Sequence, residues 1–145
     1  MIINRIKILR KKFIDHEIDG YIVPKNDEFF SEYAENDRLK NISNFTGSAG
    51  LAIILKKNNY LFVDGRYTIQ AQNEAGRNFK IIEIHKNLPY TIIKNSKLGF
   101  DPHLFTTKKL KLYFSNNIKL IAINKNLIDK IYKNKKKKTK SFFSL

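Results

Sequence analysis

The chain contains no cysteine, so disulfides, thiolate metal sites and a cysteine nucleophile are all excluded. Proline occurs only three times and glycine six. No stretch approaches the length of a membrane-spanning helix. The opening "MIINRIKILRKKF" alternates apolar and basic residues without an uninterrupted apolar core of signal-peptide length, and a cytoplasmic soluble protein is expected. No zinc-finger spacing, RNP1-like pattern or helix-turn-helix is present. No internal repeat is visible.

What is there suffices for one domain. A chain of 145 residues can bury a real core, and apolar residues make up 42% of it, with eleven Phe and seven Tyr, which argues against global disorder. The net charge of +15 invites a nucleic-acid reading. Six lysines, however, stand in the eight residues "KNKKKKTK" (133–140), leaving +9 spread along the rest. Runs of like charge are usually solvated, and neither a specific nucleic-acid partner nor a membrane is expected.

Helices and strands alternate along the chain. Ile2, Ile6, Leu9 and Phe13 recur at spacings of four, three and four, which makes one apolar helix face. "DGYIVP" (19–24) predicts a strand entered through Asp19-Gly20 and ended by Pro24. "NDEFFSEYAENDRL" (26–39) is a polar, partly helical connection. "LAIIL" (51–55) and "YLFVD" (60–64) are apolar runs joined by "KKNN", a hairpin signature. "RYTIQAQNEAG" predicts a helix with Asp64 near its start and Gly76 as its terminator. Strands follow at "FKIIEI", "KLGFD" and "IKLIAI". Between and after them come a short helix at "LPYTIIKN" with Pro89 in its first turn, a helix at "TTKKLKLYFSNN" capped by Thr106 or Thr107, and a final helix at "NLIDKIY". Hairpin and crossover connections together predict a single α/β domain with a mixed six-stranded sheet flanked by helices.

Candidate chemistry centres on "FVDGRY". Asp64 can accept backbone N–H bonds at the helix start, while Arg66 can project from the first turn toward a carboxylate. A structural cap and a ligand contact both remain open. Gly65 allows tight backbone passage. "FTGSAG" (45–50) is glycine-rich but leads into a strand, whereas a phosphate loop leaves a strand and enters a helix. Gly47 and Gly50 therefore read as turn and packing positions. Ser48 lacks the strand–turn–helix setting of a nucleophile elbow. His16, His85 and His103 share no ligand spacing, and no carboxylate–histidine constellation follows from spacing alone.

"YIVPKNDEFFSEY", "ISNFTGSAGLAII", "FVDGRYTIQA", "LGFDPHLF" and "NLIDKIY", in this order, resemble the N-terminal domain of aminopeptidase P, an Xaa-Pro aminopeptidase of the creatinase and prolidase superfamily. The resemblance covers essentially the whole chain, with Tyr132 where a tryptophan is usual. It implies a creatinase N-terminal-like domain over 1–132 with a ribonuclease H-like motif, followed by a basic connector or tail at 133–145. It also implies that catalysis belongs to another domain. There two divalent metals, usually manganese, are held by two aspartates, a histidine and two glutamates, and a metal-bridging hydroxide is the nucleophile. No catalytic residue, metal ligand or cofactor is expected in this chain. Arg66, Tyr67 and Tyr33 are expected to line a substrate entrance or domain contact. The expected partner is a separately encoded catalytic domain or a second copy of the chain. A split peptidase active only with a second chain and a basic nucleic-acid-binding module are the alternatives.

Overall fold

In the computed structural model, residues 2–25, 37–114 and 117–131 are described. Helix α1 (Ile2–His16) buries Ile2, Ile6, Leu9 and Phe13, the face that the periodicity predicts. The helix closes at Glu17, whose φ is 54°. Strand β1 (Gly20–Pro24) is buried at every position. A short α2 (Arg38–Ser43) is capped by the Asp37 carboxylate, which accepts from Lys40 N, and ends at Asn44 with φ 73°. The predicted hairpin is β2 (Leu51–Leu55) and β3 (Asn59–Val63). Beyond it lie α3 (Thr68–Ala75), β4 (Lys80–Glu83), α4 (Pro89–Ile92), β5 (Lys97–Phe100), α5 (Thr107–Tyr113) and β6 (Lys119–Ala122). A helical turn at 127–131 follows. Thr106, not Thr107, caps α5, accepting from Lys109 N. Gly76 does end α3, but with right-handed φ −63° rather than in the left-handed region.

The sheet order is β4-β3-β2-β1-β5-β6. β2 runs antiparallel to both β1 and β3, while the β1–β5, β5–β6 and β3–β4 pairs are parallel. The mixed six-stranded sheet is therefore the predicted one. Five strands point one way, so their carboxyl ends share one edge of the sheet, and the start of β2 lies at that same edge.

Side chains alternate across the sheet with period two and feed two cores. One core joins Leu9 and Phe13 of α1 to Tyr21, Val23, Ile54 and Leu61 of the strands. The other collects Ile22, Ile53, Phe62, Leu98 and Phe100, with Phe114 after α5. Strands buried on both faces read as continuous apolar runs, as "LAIIL" does.

Three polar anchors hold the C-terminal part of the described chain. Arg38, itself buried, makes a bidentate pair with Asp129, both contacts 2.8 Å. Buried Asp101 accepts from His103 N at 2.9 Å and from Asn126 Nδ2 at 3.0 Å. The Tyr21 hydroxyl accepts from Leu127 N at 3.3 Å, and burial pushes its ionisation well above the usual phenol range.

Candidate functional site

The carboxyl edge of the sheet brings "DGRY" and "FTGSAG" together. β3 ends at Val63, and Asp64 follows in extended conformation as the cap of a single 3-10 turn, Gly65–Tyr67, before α3 begins. The helix expected from Arg66 onward thus starts as a 3-10 turn. Asp64 Oδ1 accepts from Arg66 N at 2.9 Å and from Arg66 Nε at 3.3 Å. Its Oδ2 lies 3.3 Å from His85 Nε2. These contacts, the Arg66 backbone N–H foremost, hold the Asp64 carboxyl below its ordinary range. Of the two roles left open for Asp64, the cap is the one the geometry displays.

Arg66 is 77% exposed at its side chain. Its guanidinium sits 5.4 Å from the centre of the Tyr67 ring, a cation–π distance. Tyr67 points elsewhere. Its hydroxyl lies 2.5 Å from Ser48 Oγ, and its ring packs edge-on against Phe45 at 6.2 Å. Thr46 donates to Glu74 of α3 through its backbone N (2.8 Å) and its hydroxyl (2.7 Å), and Gln70 Nε2 reaches the same carboxylate at 3.3 Å. Burial opposes ionisation of Glu74, but the Thr46 and Gln70 donors outweigh it and leave its pKa lowered. The glycine-rich loop is consequently clamped onto the 3-10 turn and α3 at both Thr46 and Ser48.

The glycines act through space rather than through φ, because no glycine has positive φ. A Cβ at Gly47 would stand 2.2 Å from Phe45 Cζ, and one at Gly50 would stand 3.0 Å from Leu39 Cδ2 and 3.1 Å from the Phe45 ring. Both glycines therefore lie against buried side chains with little room for a larger residue. At Gly65 the nearest atoms to a Cβ would be those of the Glu83 carboxylate, with Oε1 at 2.5 Å. The nearest neighbour at Gly65 is thus the end of a side chain that can move.

Residues 5–131 match the creatinase/prolidase N-terminal domain. The chain belongs to this family. Xaa-Pro aminopeptidase 1 of Dictyostelium discoideum is 34% identical over 113 residues, covering 71% of this chain and 18% of its own length. Xaa-Pro aminopeptidase 2 of Rattus norvegicus is 32% identical over 120 residues, covering 75% of this chain and 17% of its own. The chain thus spans less than a fifth of these relatives. Among solved structures, the cytosolic X-prolyl aminopeptidase of Caenorhabditis elegans superposes with a TM-score of 0.72 at 24% identity, over 92% of this chain and 26% of that one. The N-terminal domain of the cytoplasmic peptidase PepQ of Mycobacterium tuberculosis gives 0.66 at 18% identity, over 88% and 98%. These two likenesses establish the fold, a creatinase N-terminal domain.

Within that domain the expected site residues separate. Arg66 is exposed, Tyr67 is engaged with the loop, and Tyr33 lies outside the described residues, as do Tyr132 and the segment 133–145. Among the described residues two Asp–His pairs arise that spacing did not reveal: Asp64 with His85, and Asp101 with His103 Nδ1 at 2.9 Å. The first is a product of the parallel register that sets Val63 beside Glu83. Among the described residues no group of three histidine, aspartate or glutamate side chains is placed to share a cation. Among the same residues no helix is long and apolar enough to cross a membrane.

Proposed function

We propose that this domain is a noncatalytic assembly and substrate-access element of an Xaa-Pro aminopeptidase-like metallopeptidase, acting in the cytoplasm. The observation that carries the proposal is the extent of the family match. It fills residues 5–131 and is to the N-terminal domain, while the relatives named Xaa-Pro aminopeptidase are more than five times as long as the part this chain covers. The metal ligands lie, on this proposal, outside residues 5–131, in a catalytic domain that this domain packs against or in a partner chain that supplies one. Arg66 is the residue offered to that partner or to a peptide entering it, since its side chain is exposed while its guanidinium contacts Asp64 through Nε and lies over the Tyr67 ring. The positive charge is assigned to solvation, with no specific nucleic acid and no membrane as partner.

The test is hydrolysis. The purified chain, supplied with manganese and an Ala-Pro-Ala peptide, is expected to release no alanine above a protein-free blank. Metal-dependent release that follows the homogeneous chain through size exclusion would overturn the proposal. Co-purification with a second chain that brings such activity would identify the partner.

A further inference from the structure

A cleft of about 200 Å³ opens at the carboxyl edge of the sheet. In open α/β sheets the crevice outside the carboxyl ends of the strands is where ligands bind. Here the cleft takes Pro24 from the end of β1, Asp64 after β3, and Ile84 and His85 after β4, with Gly50 and Leu51 from the start of β2. Leu104 and Phe105, which follow β5, and Lys109 and Tyr113 of α5 complete it.

Its walls and its rim differ in chemistry. Leu51 and Phe62 come from the sheet face, and Phe105 and Tyr113 from the other side. The aromatics are fixed in place: Phe105 packs edge-on against Phe100 at 6.0 Å, and Tyr113 against Phe114 at 6.3 Å. Lys109 and Tyr113 are four residues apart on α5 and so share one face of the helix. The titratable side chains at the rim are Lys25, Asp64, His85 and Lys109. Asp64 is engaged by Arg66 and His85, and Lys25 is paired with Asp37. Lys109 has no ion-pair partner among the described residues.

We propose that this cleft is a binding site for a small monocarboxylate with an aromatic or branched apolar body. The Lys109 ammonium would face the carboxylate, and Leu51, Phe62, Phe105 and Tyr113 would surround the body. An anion is favoured over a cation because the cleft's one carboxylate already accepts from two neighbours. The volume is below the roughly 300 Å³ at which drug-sized sites begin, so a small acid fits and a nucleotide cofactor does not. A site of this kind needs few polar groups to orient its ligand. It is independent of the peptidase proposal, since neither metal nor partner chain enters it.

The experiment is a titration of the full chain with 3-phenylpropionate, followed by backbone amide chemical shifts, with 3-phenylpropanamide as the uncharged control. Saturable shifts at Leu51, Asp64, His85 and Phe105 are expected, with a Kd on the order of 1 mM for a ligand of this size. The amide should bind at least about fivefold more weakly, and Lys109→Gln should weaken the acid by about the same factor, the upper range for an exposed charge pair. Lys111→Gln, on the same helix outside the cleft, should stay within about twofold of the parent chain. Non-saturating shifts, shifts that map elsewhere, equal binding of the amide, or a Lys109→Gln affinity matching that of Lys111→Gln would each overturn the proposal.

Discussion

Substituting alanine at Gly47 and at Gly65 separates two ways in which a glycine can be required. Both residues have φ outside the positive region, so alanine brings no backbone strain at either. What differs is the neighbour. At Gly47 the new methyl group would stand 2.2 Å from Cζ of Phe45. Phe45 is completely buried and held edge-on by Tyr67, so relief requires either the loop or a core ring to move. Overpacking of this kind costs about 1–3 kcal/mol. Loss of unfolded-chain entropy on replacing glycine returns about 0.4–1 kcal/mol. The net expectation for Gly47→Ala is a loss of about 1–2 kcal/mol, or about 4–8 °C in Tm at about 4 °C per kcal/mol for a domain of this size. At Gly65 the methyl meets the Glu83 carboxylate, the end of a flexible side chain that is 28% exposed and can swing aside. Gly65→Ala should therefore stay within about 0.5 kcal/mol of the parent chain. Thermal unfolding followed by far-ultraviolet circular dichroism reads both. If Gly65→Ala lowers Tm as far as Gly47→Ala, the steric account of the glycine-rich loop is wrong.

Further outcomes follow from the anchors and the junction. Asp129→Ala strips its carboxylate from a guanidinium that is only 7% exposed, while Asp129 itself is 46% exposed. The expected loss is about 2–3 kcal/mol, below the usual cost of breaking a fully buried pair because water reaches the aspartate side. Arg38→Met, which removes the charge and keeps an apolar stem, should cost less, and the reverse order in urea unfolding would contradict this. The Asp64 pKa is lowered in the folded state, so its stabilising contribution is present above the unfolded aspartate pKa of about 3.9 and is lost as pH falls through the folded value. A stability gap between the parent chain and Asp64→Asn should accordingly exist at neutral pH and close below about pH 4, and a gap that widens with acid would refute the assignment. Tyr67→Phe removes the hydroxyl bonded to Ser48 and keeps the ring. It should cost about 1 kcal/mol or less and raise hydrogen exchange of the amides at 46–50; unchanged exchange there would show that the clamp does not hold the loop.

The elements were legible in the sequence wherever one face of a helix or a hairpin decided them. Ile2, Ile6, Leu9 and Phe13 announced α1, and two apolar runs joined by a short polar loop announced β2 and β3. The site was less legible, because its contacts join residues distant in sequence. Asp64 meets His85 only because β4 lies parallel to β3 in one register, and no local pattern encodes that register. Arg38 and Asp129 are 91 positions apart, and each alone reads as an ordinary surface charge. The resemblance to aminopeptidase P pointed to "DGRY" and "SEY". It carried no information on how the 3-10 turn divides the roles, with Arg66 turned to solvent and Tyr67 turned to the loop.

The two outermost strands bear on how the domain can associate with copies of itself. β4 and β6 are four residues each, and each opens with an exposed lysine, Lys80 and Lys119. Short, charged margins make poor templates for another chain to extend the sheet by backbone pairing. Stacking of domains margin to margin into a fibre is disfavoured, and any symmetric dimer is directed to side-chain surfaces, where its contacts can be specific and its growth can stop at two.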